Sequence, residues 1–289
     1  MSAVDIFVAT NSVLRSGVNK PFKHNRKWQY HPRSDRHSQT ACWAIMFDLL
    51  QHCSLLQSHV ISGKVGFGIN HAVLNVATGK SKDLDLVIQR INTAEPQRNR
   101  TSGPTNFAEL GDAIGMELTN QERSILYSLP EVRLLDSPNA PVLMALETKA
   151  AMTEHGKCRP RLFDEFNSSH SLVHGSSTTA ISAGWAIINT SSKFVSPLRN
   201  PFPIGALPED ITVHKNDAAE RLARALTRLP IATSINPIGF DALGFTMISC
   251  VNDGSPITKD TTSYVPRGAG YSQFLSNLEQ LYSTRFSHI

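Results

Sequence analysis

The sequence lacks the features that mark a membrane-spanning or secreted protein. No apolar run in its 289 residues reaches the roughly 18–20 residues that a membrane-spanning helix needs. The amino-terminal segment has an early acid, Asp5, and no basic stretch before its short apolar run, so it does not look like a secretory signal. We therefore expect a cytoplasmic protein that has no membrane partner.

Cysteine and the common catalytic motifs are also scarce. The four cysteines are widely separated, and no two are spaced as C-x-x-C, which argues against a zinc ribbon and against a disulfide framework. No H-E-x-x-H and no G-x-S-x-G motif occurs, and Gly66-Phe67-Gly68 is not followed by the residues of a phosphate-binding loop. Zinc proteases, serine hydrolases and P-loop nucleotidases are therefore disfavoured.

Positive charge is concentrated near the amino terminus, although the net charge is only +4. Basic residues interleaved with Trp28 and Tyr30 can neutralise phosphates and stack on bases. We interpret residues 1–37 as a basic arm that precedes a single domain over residues 38–289. A solvated arm without a ligand is the alternative. On the first interpretation, the phosphate-binding candidates in the arm are Lys23, Arg26 and Lys27.

Hydrophobic periodicity separates helical from extended segments in the first half of the chain. Apolar residues at three- and four-residue steps predict a helix over 38–57 capped by Ser38, and two-residue alternation predicts strands between 60 and 90. Residues 92–138 have the character of an insertion between core strands. Two short helices are expected inside it, at 107–115 and 120–129, the second opened by a capping box.

Strands and helices alternate in the second half. This alternation predicts an α/β fold with a mixed central sheet flanked by helices. A Pro-rich loop is expected between the second and third of these strands. The predicted strands are 141–149, 179–190 and 244–251, the predicted helices are 160–172, 216–229 and 271–283, and the loop is 191–213.

Charged residues stand at the ends of two otherwise apolar strands. Asp85 directly precedes Leu-Val-Ile, and Glu147 and Lys149 close the segment that begins at Leu143. Residues two apart in a strand point to the same face, so Glu147 and Lys149 should project together. If the Asp85 strand lies alongside, two carboxylates and one ammonium group meet at one edge of the sheet.

This combination suits hydrolysis of a phosphodiester. Mg²⁺ prefers oxygen ligands and usually takes one or two carboxylates from a protein. Asp85 and Glu147 can supply them, and a main-chain carbonyl near Thr148 can add a third ligand. Lys149 can orient or help deprotonate the attacking water and offset charge on the phosphate. An E-x-K triplet also arises by chance, and an ion pair at the end of a strand is the simpler interpretation.

At this point the chain resembles the PD-(D/E)XK nuclease superfamily, the fold of many restriction endonucleases. The resemblance covers residues 38–190 and rests on the order helix, strands, Asp-containing strand, E-x-K strand, helix, strand. It implies that Asp85 and Glu147 bind metal and that Lys149 is catalytic. The Pro that often precedes the family's Asp is absent here, so Asp83 can also fill the role or assist. The insertion between the two half-motifs is long.

The same resemblance extends to auxiliary and DNA-binding residues. Asp48 in the first helix corresponds to an acid that reaches the metal in some members, and the helix after the site often lines the DNA groove. An exposed helical acid and a helix with a solvated face are the alternatives. The DNA-contact candidates on that helix are Lys157, Arg159, Arg161, Asn167 and Ser168.

The resemblance implies a type II restriction endonuclease that cleaves double-stranded DNA with Mg²⁺, for which Mn²⁺ can substitute. Such enzymes often act as homodimers on palindromic sites, so a homodimer is expected. A DNA-binding module of the same fold that does not cleave, or a DNA-repair or phage-defence nuclease, fits the same residues.

Overall fold

A computed structural model gives the fold of most of the chain. It describes residues 2–16, 27–75, 79–91, 103–135, 140–200, 210–233 and 238–289.

The helices and strands of the described residues follow one another in mixed order. The helices are α1 (Ala3–Ser12), α2 (Arg36–His52), α3 (Ser54–Ile61), α4 (Phe107–Ile114), α5 (Asn120–Ser128), α6 (His155–Ser176), α7 (Ala218–Leu226) and α8 (Tyr271–Arg285). The strands are β1 (Arg15–Ser16), β2 (Lys27–Trp28), β3 (Val65–Asn75), β4 (Lys80–Arg90), β5 (Val142–Ala151), β6 (Ile181–Asn189), β7 (Lys193–Val195), β8 (Ile211–Val213), β9 (Ala242–Ser249) and β10 (Thr258–Lys259).

A six-stranded sheet in the order β10-β9-β6-β5-β4-β3 forms the centre of the molecule. β3, β4 and β5 pair antiparallel, as do β9 and β10, whereas β5, β6 and β9 run parallel. β6 occupies the middle of the sheet and every one of its residues is buried, which its run of Ile, Ala, Gly and Trp allows. The predicted mixed central sheet is therefore confirmed.

Helices cover the two faces of the sheet. The larger apolar cluster joins α1, α2 and α8 to one face, through side chains such as Trp43, Phe47, Trp185 and Phe274. α6 and α7 cover the other face around Phe166. In the parallel part of the sheet, β5 leads through α6 to β6, which brings the carboxyl end of β5 and the amino end of α6 to the same edge.

The amino-terminal segment differs from a wholly exposed arm. Ala3, Ile6 and Phe7 of α1 belong to the main core, and Trp28 is buried. The prediction that residues 1–37 form an arm apart from the domain was wrong for α1 and for residues 27–37. The basic residues lie after α1 along the chain, whereas the apolar residues of α1 pack in the core.

The predicted helix over 38–57 is two helices. α2 begins after Asp35, and not at a Ser38 cap, and Cys53 adopts an extended conformation that separates α2 from α3. α6 is longer than predicted at both ends, since it runs from His155 to Ser176. The expected loop over 191–213 contains the short antiparallel pair β7–β8.

Both helices predicted inside the insertion are present. The side chain of Thr119 accepts a hydrogen bond from the Glu122 amide, and the Glu122 carboxylate accepts one from the Thr119 amide, so the capping box is confirmed. Trp43 of α2 stacks on Phe107 of α4 with 4.4 Å between ring centroids. This contact attaches the insertion to the core.

Candidate active site

Asp85 lies where β4 and β5 stop pairing. The last pair of the ladder between these strands is Leu86–Leu146, so the pairing stops one residue short of Asp85. Beyond that point the Asp85 carboxylate replaces the main-chain ladder, because its Oδ2 accepts a hydrogen bond of 2.7 Å from the Thr148 amide. The acid is thereby fixed beside the end of β5.

Glu147 and Lys149 project from β5 toward this carboxylate. The Lys149 ammonium lies 2.6 Å from Glu147 Oε1 and 3.6 Å from Asp85 Oδ2. On the opposite face of β5, Leu146 joins the main core and the Thr148 hydroxyl contacts the Cys42 thiol of α2 at 3.5 Å. The structure thus brings Asp85, Glu147 and Lys149 together, with the alternation that the E-x-K spacing predicts.

The two carboxylates are held close together in a poorly solvated position. Glu147 is only 4% exposed and Asp85 14%. Burial, reinforced by the nearby charge of Glu147, raises the pKa of Asp85 from 3.8 to about 6. Burial alone would lower the pKa of Lys149, but the charges of Asp85 and Glu147 outweigh burial and raise it. Lys149 is therefore an ammonium ion at neutral pH.

The donor set fits a hard divalent cation. Glu147 Oε2 is buried and accepts no hydrogen bond from any described residue, while both contacts of this carboxylate with lysine go to Oε1. An additional cation between two like charges would relieve the unfavourable ionisation of Asp85. Among the described residues no group of three His, Cys, Asp or Glu side chains is arranged to hold a metal ion.

Lys82 and Glu165 are members of the cluster that the sequence did not identify. Lys82 Nζ lies 3.8 Å from Glu147 Oε1 and donates to Ser169 Oγ of α6 at 2.6 Å. Glu165 of α6 lies 3.7 Å from the Lys149 ammonium. Three acids and two lysines from β4, β5 and α6 therefore form one charged network.

A local irregularity in β4 explains why Lys82 was missed. Leu84 packs with Val87 in the cluster beneath α6, whereas Leu86 packs in the main core on the other face. Residues 84 and 86 would share a face in a regular strand, so the alternation shifts by one residue at Asp85. Opposite this point, Asn70 of β3 has φ +50° and makes no ladder pair with Asp85.

The same shift corrects the prediction for Asp83. Lys82 and Leu84 lie on the α6 face, so Asp83, between them, points to the other face and is exposed. The expectation that Asp83 can fill the role of Asp85 or assist it was wrong, because the two side chains point to opposite faces once the two-residue alternation is broken.

Asp48 does not contact this network and forms hydrogen bonds with other helices instead. Its Oδ2 accepts hydrogen bonds from the Ala3 amide at 2.7 Å and from the Tyr271 hydroxyl at 2.8 Å. It lies on α2, which packs on the face of β5 opposite Glu147 and Lys149. The prediction that Asp48 assists the metal is therefore wrong: this carboxylate joins α1, α2 and α8.

Three of the predicted DNA-contact residues of α6, Lys157, Arg159 and Arg161, lie exposed in its amino-terminal half. Lys157 and Arg161 pair with Glu154 and Glu165 at 3.1 and 3.6 Å, while Arg159 is exposed and pairs with no acid among the described residues. These cations lie on the helix that also contacts the acidic network. A polyanion bound along α6 would therefore pass beside that network.

The remaining predicted contacts are less uniform. The Ser168 hydroxyl accepts a hydrogen bond of 2.8 Å from Lys82, and the Asn167 amide oxygen lies 3.3 Å from the His170 ring. Lys27 is exposed in β2. Lys23 and Arg26 lie outside the described residues.

No protein-family model matches this chain, and neither a curated protein nor a solved structure shows a significant match to it. Within the described residues, none of the helices combines the length and the apolar character required to cross a membrane. The function must therefore be inferred from the chemistry of the residues at the sheet edge.

Proposed function

We propose that this chain is a Mg²⁺-dependent endonuclease that hydrolyses phosphodiester bonds in double-stranded DNA. The observation that carries the proposal is the meeting of one buried and one largely buried carboxylate, from adjacent strands, on one lysine: Lys149 Nζ is 2.6 Å from Glu147 and 3.6 Å from Asp85. Glu147 Oε2, which accepts no hydrogen bond from the described residues, supports the binding of a cation there.

Each residue has a distinct role in this proposal. Asp85 and Glu147 would hold the metal, with the Thr148 main-chain carbonyl as a further oxygen donor. When bound, Mg²⁺ supplies positive charge that stabilises the phosphoryl transition state and lowers the pKa of a coordinated water. The Asp85 carboxylate is kept in place by the Thr148 amide, so its position does not depend on the metal.

Lys149 would act as a charged hydrogen-bond donor. Because the two carboxylates raise its pKa, the side chain carries a proton at neutral pH and can orient a water molecule or offset charge on the scissile phosphate. Of the two roles that the sequence suggests for Lys149, donation is therefore favoured over removal of a proton.

DNA is the proposed substrate because cations lie on the helix that borders the site. Lys157, Arg159 and Arg161 can neutralise backbone phosphates, and the exposed Lys27 is a further candidate phosphate contact. A type II restriction endonuclease, acting as a cytoplasmic homodimer on a palindromic sequence, is the specific form of the proposal. A repair or phage-defence nuclease would use the same residues on other DNA.

The second candidate is a DNA-binding module that does not cleave. The observation in its favour is that Lys82 and Lys149 already neutralise much of the acidic network, so the network could serve structure alone. In that case Mg²⁺ would neither bind at Asp85 and Glu147 nor change the DNA after prolonged incubation.

The test is cleavage of plasmid and random-sequence DNA by the purified chain, with Mg²⁺ or with a chelator, followed by sequencing of the ends. We expect discrete ends in Mg²⁺ and loss of cleavage in Glu147→Gln. Glu131→Gln is the matched control, because Glu131 is an exposed acid without an ion pair among the described residues. Intact DNA that is nevertheless bound would replace the proposal with the non-cleaving module, and random ends would remove the restriction-enzyme form.

A further inference from the structure

Lys149 and the proposed cation compete for the same two carboxylates. The Lys149 ammonium lies 2.6 Å from Glu147 Oε1 and 3.6 Å from Asp85 Oδ2, so it neutralises the pair when no metal is bound. A divalent cation held by these carboxylates repels an ammonium ion at such a distance. A second acceptor for Lys149 would therefore favour the binding of Mg²⁺.

Glu165 of α6 offers this second acceptor. Its Oε2 lies 3.7 Å from the Lys149 ammonium, and its Oε1 lies 3.6 Å from Arg161 Nε. Both distances exceed that of a direct hydrogen bond, so Oε2 still has the capacity to accept one from Lys149. Arg161 faces the other oxygen and is 66% exposed, so solvent screens its charge.

The main chain of Glu165 is held in place independently of its carboxylate. Its carbonyl accepts hydrogen bonds of 2.9 Å from the hydroxyls of Ser168 and Ser169, and a longer one of 3.4 Å from Lys82. The next residue, Phe166, is completely buried in the cluster between α6 and the sheet. Loss of the Glu165 charge should therefore leave α6 in position.

The two lysines of the network differ in how firmly they are held. Lys82 donates to two serine hydroxyls of α6 at 2.6 and 2.8 Å, whereas the contacts of Lys149 with described residues are with carboxylates. The exposed fraction of the side chain rises from 4% in Glu147 through 21% in Lys149 to 36% in Glu165. A shift of Lys149 towards Glu165 is therefore a shift from the interior towards solvent, where a substrate would approach.

We infer that Glu165 is a positioning residue, which accepts the Lys149 ammonium when a divalent cation occupies Asp85 and Glu147. The inference rests on the proposed function, since it assumes that these two carboxylates bind Mg²⁺. Glu165 acts through Lys149 and is not itself a ligand of the cation. Its effect is to lower the concentration of Mg²⁺ at which the site fills.

The test is titration of the full chain with Mg²⁺ alone, followed by NMR of the Thr148 amide. This amide donates to Asp85, so its resonance reports cation binding at that carboxylate in every variant. We expect Glu165→Gln to bind Mg²⁺ about fivefold more weakly, as for the loss of one partly exposed ion pair. Asp164→Asn is the matched control, because Asp164 is an exposed acid of α6 that pairs with no cation among the described residues. It should change the affinity by less than about twofold.

A double-mutant cycle separates positioning from direct binding of the cation. If Glu165 acts through Lys149, Glu165→Gln should have little effect on Mg²⁺ affinity in the Lys149→Met background. Glu165→Asp, which keeps the charge, should recover part of the affinity in the presence of Lys149. An equal loss of affinity in both backgrounds would overturn the inference, because Glu165 would then act on the cation without Lys149.

The side-chain nitrogen of Lys149 gives an independent signal in protein with isotope-labelled lysine. Its resonance, identified by its absence in Lys149→Met, should shift on saturation with Mg²⁺ as the ammonium exchanges one carboxylate for another. In Glu165→Gln the saturated resonance should lie at a different position, because that carboxylate is gone. The same saturated position in both proteins would overturn the inference.

The same titration distinguishes failure of this inference from failure of the proposed function. Mg²⁺ binding that Glu147→Gln abolishes and Glu165→Gln leaves unchanged would overturn the positioning role alone. No response of the Thr148 amide to Mg²⁺, or an unaltered response in Glu147→Gln, would overturn both.

Discussion

Asp85→Asn should make the protein more stable at pH 8 while abolishing its proposed activity. Asparagine keeps the shape of the side chain and an oxygen that can accept the Thr148 amide hydrogen bond. It removes the negative charge that burial and Glu147 disfavour. The change therefore separates the energetic effect of the charge from the position of the side chain.

The magnitude follows from the pKa of Asp85. This pKa rises from its ordinary value of 3.8 to about 6 on folding, which corresponds to about 3 kcal/mol. Between about pH 4 and pH 6 the unfolded chain has lost the proton that the folded chain keeps, so stability falls as pH rises through this range. The Asp85 charge thus destabilises the fold fully above about pH 6 and not at all below about pH 4.

Urea denaturation of wild type and variant at pH 4, 6 and 8, in chelator, measures the difference. We expect the stability gained by Asp85→Asn to grow from near zero to about 3 kcal/mol across this range. Asp83→Asn is the matched control: Asp83 is exposed on the other face, so its replacement should give no such trend. Added Mg²⁺ should stabilise the wild type at pH 8 far more than Asp85→Asn.

An equal gain at every pH, or a loss at pH 8, would refute the reasoning. A loss at pH 8 would mean that Lys82 and Lys149 compensate the two carboxylates fully, and an equal gain at every pH would mean that it does not come from the Asp85 charge. Stabilisation of both proteins by Mg²⁺ to the same extent would place the cation elsewhere.

Three further predictions use other parts of the structure. Lys149→Met should retain affinity for DNA but lose cleavage by about a hundredfold or more, as when a transition-state donor is removed; an electrophoretic shift assay beside a cleavage assay checks it, and loss of affinity would make Lys149 a phosphate anchor. Lys82→Met should lower kcat about tenfold with little change in KM, because Lys82 holds Glu147 and α6 in position, and Lys82→Arg should restore part of the rate. Burial lowers the pKa of His37 to about 3, so stability should be intact above about pH 6.5 and should fall by about 1.4 kcal/mol per pH unit below it; His37→Phe should remove this slope in denaturation experiments, and an unchanged slope would assign acid sensitivity to other groups.

The sequence predicted those parts of the fold that depend on local pattern. Periodicity and capping depend only on residues that are close in the sequence. The sequence therefore predicted the apolar strands β5, β6 and β9 and the Thr119–Glu122 capping box. The convergence of Glu147 and Lys149 follows from the same rule, since residues two apart in a strand share a face.

The errors arose where tertiary packing decides the outcome. Cys53 interrupts a helix although the apolar period continues through it, and Leu56 and Val60 of α3 pack in the core after the break. The shift at Asp85 exchanges the faces of Lys82 and Asp83, which no period can reveal. Glu165 reaches Lys149 only because α6 lies across β5, so its role required the structure.

A purely structural salt-bridge network and a cation site make different demands on Glu147. In a structural network each buried carboxylate oxygen should find a donor, because an unpaired one raises the free energy of the folded state. Here Lys82 and Lys149 both approach Oε1, and Oε2 has no donor among the described residues. Glu147→Gln would place an amide in the same position and remove the buried charge. If the network is structural, this change should weaken the fold at pH 8, because Lys149 loses its closest partner. If it is a cation site, the variant should be no less stable in chelator but should lose the stabilisation by Mg²⁺.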